Sequence, residues 1–292
     1  MKTIELILSY YIKFIALFSS QKAAEVTFKL FQKTQPRKML ADEVEFYATT
    51  EHYTIPSSIE PIEIYTKGDK KGEVIFMLHG WNSNLARLGR FVEILADEGF
   101  YCVLFDMPGH GRSSLSSTNL KMNSIVFEAV LENINPQKEF SVLTHSFGSM
   151  VASYTLARNN HNINQLFFLT TLNQFEPFFK ELKSRLRLSE NLLKRIIDMG
   201  GDLLEEPVTD LIVKEKVKKL NYKSISVFHD KFDKILPHSY SELLVSEVPN
   251  AKLFSYEKIG HSKMLQNKQL LADFEKLVKE KRPVQMLQGA LI

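Results

Sequence analysis

From about residue 60 onward, short apolar runs alternate with amphipathic ones, and this alternation constrains the fold more than any other feature of the chain. PIEIYT, VIFMLH (74–79), YCVLF (101–105), FSVLT (140–144), QLFFLT (165–170), SISVF (224–228) and AKLFSYE (251–257) read as strands. Several are continuous apolar runs, the pattern of strands covered on both faces. Between them, LARLGRFVEILADEG, residues 121–134, SMVASYTLARN, SYSELLVSEV and KMLQNKQLLADFEKLVKE read as helices. In the first of these, Leu85, Leu88, Phe91, Val92, Leu95 and Ala96 share a face, and Gly99 suits a helix stop. Strands that alternate with helices predict an α/β fold with a mostly parallel central sheet and helices on both faces.

The alternation breaks once. Residues 173–220 hold three helical pieces and no clear strand. A helical block at that point predicts a lid over the carboxyl ends of the strands, where open α/β sheets bind ligands. The predicted organisation is an N-terminal helical extension over 1–58, a first core part over 59–172, the lid over 173–220 and a second core part over 221–292.

The N-terminal extension carries two helical stretches, near 3–18 and 22–33, followed by a polar stretch with Pro36 and Pro56. Residues 1–40 hold seven basic side chains, Lys2, Lys13, Lys22, Lys29, Lys33, Arg37 and Lys38, against Glu5 and Glu25. ELILSYYIKFIALF is strongly apolar, but Glu5 and Lys13 interrupt it, so it fits neither a spanning helix nor a clean signal peptide. It reads either as a helix docked on the body of the protein, as a basic peripheral membrane anchor, or as a poorly formed signal-anchor.

The net charge of +3 over 292 residues gives no argument for nucleic-acid binding. The single cysteine, Cys102, excludes an intrachain disulfide and every cysteine-based zinc pattern. A reducing, cytoplasmic compartment is the simpler expectation, with membrane association through the N-terminus left open. No P-loop and no G-x-G-x-x-G is present, so no nucleotide cofactor is expected, and no metal is expected either.

The chemistry concentrates at THSFG, residues 144–148, between the strand FSVL and a helix. Strand, sharp turn and helix are what a nucleophile elbow needs, with Thr144 where G-x-S-x-G has its first glycine. Threonine is stiff and β-branched, so its neighbours must leave room for it. The helix after Ser146 offers backbone N–H groups to a developing negative charge. A serine hydroxyl also needs a base, and the base an orienting carboxylate. Candidates follow the last two strands: HDKFDKILP (229–237) holds Asp230 and Asp233, and KIGH (258–261) ends on His261.

These motifs stand in a family order: HGW (79–81), DMPGHGRS (106–113), THSFGS (144–149), DKFDKILP (230–237) and GH (260–261). Over about residues 60–281 the chain resembles the α/β-hydrolase superfamily, in particular its lidded serine esterases and lipases. The resemblance implies an α/β-hydrolase fold with a helical lid and a triad of Ser146, Asp233 and His261. Asp233 follows His229 and precedes Pro237 as the family's acid does, although Asp230 occupies the usual glycine position. Asp230 is the second candidate, with a turn residue as its plainer reading. The family's oxyanion donors map onto the backbone N–H groups of Trp81 and Phe147. His79, Gly80, Phe175 and Phe178 are implied as substrate contacts, while His110 and Asp106 read as loop-shaping and structural. The implied activity is hydrolysis of a small, apolar, lipid-like carboxylic ester without a cofactor. A thioesterase, an amidase, a carbon–carbon hydrolase and a non-hydrolytic or slow-turnover binding protein would use the same scaffold.

Overall fold

Odd and even residues of the central strands go to opposite faces of one sheet, and each face meets its own core. In the computed structural model, which describes residues 2–35 and 38–281, eight strands form this sheet in the order β1-β2-β4-β3-β5-β6-β7-β8. They are β1 (Glu51–Ile55), β2 (Ile62–Gly68), β3 (Val74–Leu78), β4 (Tyr101–Phe105), β5 (Phe140–Ser146), β6 (Asn162–Thr171), β7 (Asn221–Asp230) and β8 (Ala251–Tyr256). From β4 to β8 neighbouring strands run parallel, while β1 pairs antiparallel with β2 and β2 with β4. This is the mostly parallel α/β sheet expected from the alternation, in the arrangement that the resemblance to α/β-hydrolases implies.

Phe76, Leu78, Val103, Phe105 and Val142 face one core; Ile75, Met77, Cys102, Leu104 and Leu143 face the other. The first core is covered by α1 (Lys2–Phe18), α2 (Ser20–Phe31), α5 (Leu120–Ile134), α6 (Phe147–Leu156) and the helices that follow β6. The second is covered by α3 (Ala41–Ala48), α4 (Gly89–Asp97) and α11 (Lys268–Glu280). Phe274 of α11 is fully buried against Phe91, Phe167 and Phe228. Burial of one such ring contributes about 2–3 kcal/mol. Side-chain caps set the helix starts: Asn119 accepts from Met122 N, Ser189 from Leu192 N, and Asn267 from Leu270 N.

Between β6 and β7 lie α7 (Glu176–Leu186), α8 (Glu190–Leu204) and α9 (Val213–Val217); α10 (Ser239–Glu247) lies between β7 and β8. Two elements differ from expectation. Residues 41–48 form a helix, and residues 51–55, inside the segment read as a helical extension, form a sheet strand. Four of the five residues of β1 are exposed, so the strand has no apolar alternation to read and is specified by its pairing with β2. Pro36, Arg37 and residues 282–292 of the expected second core part lie outside the described residues, as does the Lys2 side chain.

The N-terminal segment is stitched to the body. Helix α2 buries Ala23, Ala24 and Thr27 and packs on α8. Just beyond it, Thr34 N–H donates to Ser116 O at 3.2 Å and Thr118 N–H to Gln32 O at 2.8 Å. Helix α1 packs on α2 and α7 but presents a long apolar face to solvent. No helix of the described residues is long and apolar enough to cross a membrane.

Candidate active site

Strand β5 delivers the site. Its last residue, Ser146, has φ 51° and ψ −116°, a conformation that side chains rarely adopt, and α6 begins at the next residue. Two glycines make the sharp turn possible. A Cβ at Gly148 would stand 2.5 Å from Leu78 O and 2.8 Å from His79 O, so α6 can start against the end of β3 only without a side chain there. A Cβ at Gly80 would stand 2.8 Å from His145 Nδ1 and 3.3 Å from Ser146 Cβ. Thr144 is fully buried in β5, paired with Leu78 of β3 and Phe168 of β6. The neighbouring strands leave room for it, and its hydroxyl has no hydrogen-bond partner among the described residues.

Two loops bring the remaining groups. His261 Nε2 lies 3.0 Å from Ser146 Oγ, and His261 Nδ1 lies 2.7 Å from Asp233 Oδ2. Asp233 Oδ1 accepts the backbone N–H groups of Ile235, at 2.7 Å, and Leu236, at 3.1 Å. Burial alone would raise the Asp233 carboxyl, but His229, His261 and the Ile235 amide outweigh it and hold the group well below the ordinary carboxylate range. Asp233 is therefore an anion at neutral pH and fixes which nitrogen of His261 carries the proton: Nδ1–H faces the carboxylate, and Nε2 faces the serine.

Asp230, the second candidate acid, has a different task. Its Oδ1 accepts from Phe232 N at 2.9 Å; its Oδ2 accepts from Ile259 N at 2.6 Å and from Gly260 N. It clamps the loop that carries His261. His229 is buried beside Asp233, with Nδ1 2.7 Å from Ser241 Oγ and Nε2 3.1 Å from Leu236 O.

The expected substrate contacts divide. His79 is buried: Nδ1 lies 2.8 Å from Gly80 O, and Nε2 accepts Met107 N–H at 3.0 Å. It joins the loops after β3 and β4 behind the site and does not face a substrate, because both ring nitrogens are engaged. Gly80 is a packing position, for the steric reason above. Asp106 accepts from Tyr47 OH, Leu85 N and Arg112 N, a structural clamp. His110 stacks edge-on against Trp81 and His79.

Beside Ser146 lies an almost entirely apolar cleft, partly open to solvent. Trp81, Phe147, Phe175 and Phe179 line it together with Phe28 and Phe31 of α2. Phe178 packs into the core and does not line the cleft; Phe179 occupies that role and stacks on Phe31 at 5.7 Å. The share of the N-terminal helix in the cleft was not legible from sequence. Phe28 and Phe31 look like ordinary core residues of an amphipathic helix until the fold sets them against α7 and α8.

Residues 73–198 match the profile of the family described as alpha/beta hydrolase fold. An esterase of Pyrococcus furiosus superposes with a TM-score of 0.63 at 15% identity, covering 85% of this chain and 95% of that one. The chain has the α/β-hydrolase fold. Two human proteins also align with this chain. Serine hydrolase-like protein 2 is 24% identical over 160 residues, 52% of this chain and 48% of its own. Serine hydrolase-like protein is 29% identical over 107 residues, 36% of this chain and 52% of its own. The chain thus spans about half the length of the curated relatives it matches.

Proposed function

We propose that this α/β-hydrolase is a serine hydrolase of carboxylic esters with an apolar acyl group. The observation that carries the reading is the continuous relay from Ser146 Oγ through His261 to Asp233, at 3.0 and 2.7 Å, beside an apolar cleft. The esterase from Pyrococcus furiosus and the human serine hydrolase-like proteins lend it support.

In this mechanism Ser146 Oγ attacks the acyl carbonyl while His261 Nε2 takes its proton. Asp233 stabilises the imidazolium that forms. The N–H groups of Phe147, the first residue of α6, and Trp81 hold the oxyanion. Neither donates to a protein acceptor among the described hydrogen bonds, so both are available to it. Each such donor contributes a factor of about 10²–10³ to turnover. His261 returns its proton to the leaving alcohol, and an acyl-enzyme remains on Ser146. Water, deprotonated by His261, then releases the acid. The acyl chain lies among Trp81, Phe147, Phe175 and Phe179, where an apolar chain is favoured and a sugar or charged group would be left without partners.

Fluorophosphonate labelling with the adduct located by peptide mass spectrometry tests this reading. Rapid labelling of Ser146, lost in Ser146→Ala, together with turnover of p-nitrophenyl esters, is the expected result. Folded protein that neither labels nor turns over any ester would overturn it.

A further inference from the structure

Helix α1 is amphipathic in an unusual sense: its inner stripe is already used, and its outer stripes are apolar too. Ile12 is fully buried, and Ser9 Oγ donates to Leu186 O of α7 at 2.7 Å. Glu5, the helix's one acidic residue, turns sideways to Arg185 of α7, whose Nε lies 3.0 Å from its carboxylate. These contacts dock α1 on the lid. The opposite side carries Ile4, Ile7, Tyr11, Phe14 and Phe18 in one row and Leu6, Tyr10 and Leu17 in the next. Their exposures run from 38% for Leu6 to 81% for Leu17. At roughly 150–250 Å² per aromatic side chain, the face exposes on the order of 900 Å², well beyond the largest apolar patch of a typical monomer.

We propose that this face docks on an anionic lipid bilayer, with α1 lying in the interface plane. The charges are sorted for such a surface. The acid of α1 is turned to Arg185, while Lys13 is exposed among the apolar rows. Lys22, Lys29, Lys33 and Lys38 are exposed in the following segment, and residues 1–40 carry seven basic side chains against two acidic ones. Tyr10 and Tyr11 combine an apolar ring with a polar tip, the character that suits the headgroup boundary, and the long stem of Lys13 can reach out to phosphates. Spanning is excluded while α1 is docked, because its inner stripe holds α2 and α7. Helix α2, on which α1 rests, also walls the apolar cleft through Phe28 and Phe31. Docking therefore brings the acyl site next to the bilayer, and on the hydrolase reading the substrate would be a membrane-partitioned ester.

The test is co-sedimentation of the full chain with phosphatidylcholine vesicles containing phosphatidylglycerol, beside the exposed double variant Phe14→Glu, Phe18→Glu. The wild type should bind, bind less to phosphatidylcholine alone and weaken with salt, and the double variant should bind at least about tenfold more weakly. Both proteins should react equally with the fluorophosphonate, which needs no membrane, so a failure of docking is separable from a failure of the hydrolase reading. No vesicle binding by a monomeric wild type would overturn the proposal. So would a wild-type dimer by light scattering that fails to bind vesicles and becomes monomeric in the double variant, since a second copy would then be the occupant.

Discussion

Asp230 reaches across two loops to accept the backbone N–H of Ile259 at 2.6 Å, two residues before His261. Asp233, three positions on, touches the His261 ring itself. Neighbouring aspartates thus hold the loop before one histidine and that histidine's side chain, and they should fail differently. Asp233→Asn should keep the fold and lower kcat by about 10³–10⁴-fold, because the amide favours the wrong ring tautomer. Asp230→Ala removes the acceptor of three partly buried N–H groups and should cost about 1–3 kcal/mol of stability, with a smaller loss of kcat. Urea unfolding and ester kinetics on both variants check this. The reverse ranking in kcat would make Asp230 the acid.

Ser146 is held at positive φ. Such strain costs on the order of 1–3 kcal/mol. Ser146→Gly should therefore be more stable than Ser146→Ala, by about 1 kcal/mol after the glycine's greater unfolded-state entropy is set against the relief. Both should be inactive. Equal midpoints in urea would mean that the elbow stores no strain.

Gly200 of α8 lines the apolar cleft; a Cβ there would stand 3.9 Å from Phe28 Cε2 and a tight 3.0 Å from Val208 Cγ2, whose side chain must give way by a few tenths of an ångström. Gly200→Leu should fill the inner part of the cleft. If about three or four methylenes lose their place, at about 0.8 kcal/mol each, kcat/KM for a long-chain ester should fall about 100-fold relative to a butyrate ester. Phe28→Ala should shift preference the other way. A chain-length profile unchanged in both variants would separate this cleft from the acyl site.

Burial pushes His79 down to about 4 and His110 down to about 3, and His145 lies well below its ordinary range for the same reason. All three stay neutral in the folded protein while the unfolded chain protonates near pH 6.5. Their contribution is thus fully present above about pH 6.5 and is lost as pH falls toward about 4, at up to about 1.4 kcal/mol per pH unit for each ring. Urea midpoints at pH 7.5, 6 and 5 should fall progressively, and His110→Asn should lower the slope by about one proton. An unchanged slope would mean that His110 takes up no proton on unfolding.

The sheet and its covering helices were legible because the strands are apolar runs of five to seven residues whose character does not depend on the neighbour. The sharp turn at Ser146 was legible because a strand, Ser146, Gly148 and a helix start are contiguous. The edge strand β1 was not: EHYTI is mostly exposed and becomes a strand only by pairing with β2. His79 and Gly80 were read as substrate contacts because motif order places them at a strand end, and order carries no information about which side of that end faces the cleft.

The sequence by itself determined the α/β class and the order in which Ser146, the two aspartates and His261 follow their strands, all of which rest on local pattern and chain order. Only the tertiary structure shows that Asp233 contacts the His261 ring while Asp230 accepts the N–H groups of the loop before it. It also enlisted Phe28 and Phe31 in the cleft wall and left the outer face of α1 in solvent. Those outcomes depend on contacts between segments distant in the chain, such as Asp233 with His261 and Phe31 with Phe179, and these are set by packing rather than by any run of neighbouring residues.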